Sequence, residues 1–86
     1  MTHAETIQKA YRWAFEVRSN KKSNILDLWC SRHVLDIVEG QNQPEIAYEM
    51  LLGLIREWKR DRRPGLESPV GVLTRILGAP EEAIQS

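Results

Sequence analysis

Four runs of apolar residues recur at helical spacing. Each is opened by a capping residue or a proline and closed by glycine or a cluster of turn formers, and this constrains the chain more than any other feature. Nowhere do apolar and polar residues alternate over the length of a strand between turn signals. The expected fold class is therefore all-α: a small bundle of three main helices plus a short C-terminal helix, forming a single domain over residues 1–86.

The first run opens with Thr2-His3-Ala4-Glu5, a capping-box pattern that starts a helix near His3. Its expected inner face is Ile7, Ala10, Tyr11, Ala14 and Val17, bordered by Trp13 and Phe15, and it should stop within residues 19–23. Asn24 caps the second run, Asp27 sits near the positive end of the macrodipole, and Gly40 is the expected stop. This helix shows two apolar strips. One is Leu26, Cys30, Val34, Ile37 and Val38; the other is Ile25, Leu28, Trp29 and Leu35. A helix apolar on two sides is either central or meets another chain.

Pro44 suits the first turn of a third helix, whose stripe is Ile46, Ala47, Met50, Leu51, Leu54, Ile55 and Trp58, with Tyr48 and Leu52 widening it towards water. That run closes at Arg62-Arg63-Pro64-Gly65. Ser68 as cap and Pro69 at the first helical position open the fourth helix, which Gly78 ends, and a last turn follows over residues 80–85 with Ile84 as its anchor.

Composition bounds the function classes. Twelve basic and twelve acidic residues balance to zero net charge, which disfavours a general nucleic-acid coat. The longest apolar run, residues 50–55, falls far short of the roughly 20 residues of a membrane helix. No basic segment precedes an apolar one at the N-terminus, so the expected compartment is the cytoplasm and no membrane partner is expected. One cysteine excludes an internal disulfide, leaving packing alone to hold the fold.

Charge is distributed in blocks. Residues 1–23 carry five basic and two acidic groups, residues 24–55 one and five, residues 56–65 five and two, and residues 66–86 one and three. On a helical wheel Arg56, Lys59, Arg60 and Arg63 share the side opposite the apolar stripe, a candidate grip for a polyanion or an acidic partner. The ordinary alternative is a solvated helix end, since Glu45 and Glu49 at the start and bases at the end suit the macrodipole.

Cys30 and His33 lie three apart on one helix, but zinc needs further ligands, so the expected reading is a small buried thiol and a boundary histidine, with no metal and no cofactor. No phosphate loop, His-Glu-x-x-His or serine-nucleophile turn occurs, so no enzyme is expected, and a bundle this small is expected to offer little concavity.

Two short resemblances follow from the C-terminal quarter. Leu73, Thr74, Leu77, Gly78 and Ile84 are spaced in a way similar to the helix-turn-helix of DNA-binding regulators, although Glu81 and Glu82 would meet phosphates with the wrong sign. The stretch Leu66-Glu67-Ser68-Pro69-Val70-Gly71-Val72-Leu73 resembles helix starts in some phage and plasmid replication accessory proteins, and that resemblance implies a mobile-element origin.

The reading these residues support is a small non-enzymatic adaptor or regulatory, inhibitory protein. It would dock on another protein, or on a second copy of itself, through Ile25, Leu28, Trp29, Arg32 and Leu35, with Asp36 and Glu39 completing a polar rim. The alternative is a nucleic-acid-binding regulator that uses Arg56, Lys59, Arg60 and Arg63.

Overall fold

Local hydrogen-bond chemistry sets most of the helix ends in the computed structural model, which describes residues 2–78. Helix α1 spans His3–Ser19, α2 Ile25–Gly40, α3 Pro44–Asp61 and α4 Glu67–Leu77, and no strand occurs among the described residues. The Thr2 hydroxyl accepts the Glu5 N–H at 3.2 Å, and the Asn24 side chain accepts the Asp27 N–H at 2.7 Å. Each satisfies one of the four N–H groups that a helix start leaves without a partner. Pro44 occupies the first turn of α3, where a missing N–H costs nothing. Gly78 takes the left-handed conformation (φ 60°), and its N–H reaches the carbonyls of Thr74 and Arg75. The expected last turn over residues 80–85, with Ile84 and the second half of the helix-turn-helix resemblance, lies outside the described residues.

Two ends form for reasons other than those expected. Gly40 is the last residue of α2, but its φ is not positive; the chain leaves the helix through an extended Gln41. Helix α4 starts one residue before Ser68, so Ser68 is not its cap. The cap position is Leu66, which is buried, has helical φ and ψ, and accepts the Val70 N–H at 3.0 Å. Burial of Leu66 anchors this start, while the Glu67 carboxylate accepts the Gly65 N–H at 3.0 Å. Pro69 falls within the first turn, still free of any hydrogen-bond obligation, and is itself fully buried.

All four helices feed one core. Ala10 and Ala14 come from α1, Cys30 and Val34 from α2, Leu51, Leu52, Ile55 and Trp58 from α3, and Leu73 and Leu77 from α4, with Leu66 just ahead of it. Helix α1 touches the other three, and its buried line is Thr6, Ala10 and Ala14, one small residue per turn. Small side chains there let the neighbouring helices approach closely, which displaces the larger aromatics: Tyr11 and Phe15 are exposed and stack on each other at 6.4 Å. Tyr11 is thus outside the inner face on which the periodicity places it.

Helix α3 is also rotated relative to its sequence stripe. Ile46 and Met50 are each 43% exposed, whereas Leu52 is core and Tyr48 packs against it. The cause is α4, which covers that flank; the Tyr48 hydroxyl donates to the Leu77 carbonyl at 3.3 Å.

Gly53 lies in the interior of α3, and a Cβ built on it meets nothing within 4 Å. Gly53→Ala is expected to stabilise the fold by about 0.5–1 kcal/mol through reduced backbone entropy of the unfolded chain. Urea unfolding followed at 222 nm checks this; a lower midpoint would show that the position is closed.

Candidate docking site at the corner of α2, α3 and α4

The outer strip of α2 divides in the structure. Leu35 packs against the core and Leu28 is half-buried, because the arc between them and Val34 is filled by Ser31. Ser31 is fully buried, and its hydroxyl donates to the Leu28 carbonyl at 2.8 Å, so a polar residue sits at no hydrogen-bonding loss in an apolar layer. The two strips read from the sequence are therefore joined across Ser31. Ile25, 84% exposed, and Trp29, 36% exposed, remain on the surface, with Arg32, Asp36 and Glu39 exposed beside them.

Trp29 sits in an aromatic cluster. Its ring meets His33 edge-on at 4.6 Å and Trp58 of α3 at 5.8 Å. Over it lies the Arg63 guanidinium, 5.3 Å from the ring centroid. Arg63 also pairs with Asp61 at 3.3 Å. His33 is thus a boundary residue held by two indoles, and Cys30, one turn away from it, is fully buried. Burial pushes the Cys30 thiol up to about 11, helped by the Asp27 carboxylate and opposed by Arg63.

The basic cluster is rearranged by the end of α3. The helix stops at Asp61, so Arg63 does not continue its wheel, and Arg62 turns the chain in the left-handed conformation (φ 54°, ψ 23°). That conformation is usually taken by glycine and costs an ordinary residue roughly 1–2 kcal/mol. The turn then packs down onto α2. At Gly65 the positive φ of 97° favours glycine, and an added Cβ would lie 2.6 Å from a terminal methyl of Leu26, which would have to move aside.

A groove of about 630 Å³ opens at this turn, within the roughly 300–1,000 Å³ usual for ligand sites and contrary to the small concavity expected of so short a chain. Trp58, Leu66, Val70, Gly71 and Thr74 form its floor and walls, and Lys59, Arg62, Arg63 and Glu67 its charged rim. Of the five basic residues in 56–65 the structure therefore gathers Lys59, Arg62 and Arg63 at the groove, Arg62 being the one off the shared side of the wheel, and leaves Arg56 and Arg60 off it. The place of Arg62 on the rim is set by a chain reversal rather than by helical periodicity. The α2 strip and the basic cluster, alternatives when read along the chain, meet where Arg63 covers Trp29.

Among the described residues, no three His, Cys, Asp or Glu side chains gather closely enough to hold a metal ion. No described helix is long and apolar enough to cross a membrane. Compared with family models, curated proteins and solved structures, the chain finds no match.

Proposed function

We propose that this chain is a small non-enzymatic protein-binding module, an adaptor or regulatory subunit, that docks through the corner formed by the N-terminal half of α2 and the α3–α4 turn. The observation that carries this reading is the Arg63 guanidinium over Trp29, which makes an exposed apolar strip and a basic rim one continuous surface. Tryptophan and arginine are the side chains that most often dominate a protein interface, since each combines a large contact area with directional polar contacts. Arg32, Asp36 and Glu39 on the exposed side of α2 supply a polar rim.

Leu35 is tied to the core, so Leu35→Glu reads stability together with docking. The clean surface change is Ile25→Glu with Arg63→Glu. A tagged chain and this double variant are used to capture partners at moderate salt, with and without nuclease. The expected result is a protein retained after nuclease by the parent and weakened about tenfold or more in the variant, with unchanged helical circular dichroism. Equal retention by both overturns the reading.

The second reading, a nucleic-acid-binding regulator, draws on Lys59 and Arg62, which have no ion-pair partner among the described residues. It requires retained nucleic acid, loss of all captured protein after nuclease, and a steep salt dependence from counterion release.

A further inference from the structure

We propose that the α3–α4 groove takes an acidic peptide segment carrying one large apolar anchor residue, the anchor seated on Val70 and Gly71 and the carboxylates on Lys59, Arg62 and Arg63. The inference rests on the protein-docking reading and names the chemistry of the partner.

The floor sets the anchor. Leu66 and Trp58 are buried walls, Val70 is half-buried, and the one hydroxyl, that of Thr74, is turned back to donate to the Val70 carbonyl at 2.7 Å. No polar side chain on the floor is left to read a base edge or a sugar, and the Trp58 ring, 3% exposed, offers no free face for a base to stack on. Gly71 opens the middle of the groove, since a Cβ built there meets nothing within 4 Å. An apolar side chain gains by leaving water for such a floor.

The rim sets the charge. Three cations face one carboxylate, Glu67, which is already accepting the Gly65 N–H. Arg63 divides its charge between Asp61 and Trp29, whereas Lys59 and Arg62 have no ion-pair partner among the described residues. Arg62 also holds a left-handed backbone conformation in which glycine would be more stable, so the strain of this turn lies at the lip of the groove.

Two variants separate binding from folding. Arg62→Gly relieves the left-handed strain, and Gly71→Leu raises helix propensity while filling the groove, so both should melt no lower than the parent. A random 12-residue peptide library is panned against the immobilised chain, and recovered peptides are titrated by fluorescence anisotropy. The expected peptides are enriched in Asp and Glu around a single large aliphatic or aromatic residue, and they bind Arg62→Gly and Gly71→Leu about tenfold or more weakly. Recovery of no peptide, of peptides without acidic residues, or of peptides that bind Gly71→Leu as well as the parent overturns the proposal. Peptides that keep their affinity for Gly71→Leu but lose it in Ile25→Glu/Arg63→Glu overturn the groove and leave protein docking standing. A single-stranded oligonucleotide bound in place of any peptide overturns both.

Discussion

Leu51→Ala is expected to lower the unfolding free energy by about 2–5 kcal/mol, while Met50→Ala, its immediate neighbour, changes it by less than about 1 kcal/mol. Leu51 is completely buried in the cluster that all four helices share, so removing its terminal carbons loses their transfer free energy and leaves a cavity that rigid helices cannot close. Met50 is 43% exposed, beside His33 and Ile37 in a shallow depression, and alanine's higher helix propensity offsets part of what its truncation loses. A domain of this length has a total stability of about 4–13 kcal/mol, so the first change removes a large share of it and lowers the melting temperature by more than about 10 °C. Thermal and urea melts of both variants at 222 nm decide the matter. Equal losses would mean that α3 is rotated back to the stripe containing Ile46 and Met50, and that α4 does not cover Tyr48 and Leu52.

The Cys30 thiol is expected to react with a disulfide reagent at pH 8 about 100-fold more slowly in the native chain than in denaturant, from protonation alone. With its pKa raised from 9.0 to about 11, the thiolate fraction at that pH falls from about a tenth to about a thousandth, and only the thiolate attacks. Complete burial slows the reaction further, because reagent must wait for an opening of the fold. The native state holds this proton more tightly than the unfolded chain does. The thiol's contribution to stability is therefore fully present below about pH 9 and lost as pH rises towards about 11. Cys30→Ala should flatten the alkaline limb of the stability profile relative to the parent. A native rate matching the denatured rate would place Cys30 at the surface and remove the packing of α2 into the core through Cys30 and Val34.

The two predictions probe different degrees of legibility. Burial of Cys30 with Val34 follows from a strip whose centre is unambiguous on the wheel. The orientation of α3 does not, because nine apolar or aromatic residues lie along it, more than half its circumference, and hydropathy alone does not say which edge a neighbour will cover. Ser31 shows the converse problem: a polar residue is invisible to an apolar pattern, yet a hydroxyl bonded within its own turn can be packed in the core. For the candidate site, Trp29, Lys59 and Arg63 are legible in the sequence but lie on faces that helical periodicity keeps apart, while the positions of Arg62 and of the groove floor on α4 carry no periodic signal.

By itself the sequence determined the helical class and the ends set by Thr2, Asn24, Pro44 and Gly78. Those features rest on hydrogen bonds and backbone preferences that act within three or four residues of one chain segment. Only the tertiary structure decided which flank of α3 is buried, that Tyr11 and Phe15 face outward, where α4 begins, and that Arg63 lies over Trp29. Each of these depends on contacts between helices that are remote in the chain. The small residues of α1, the reversal at Arg62 and the close approach at Gly65 choose among several apolar faces that are nearly equivalent until the helices pack.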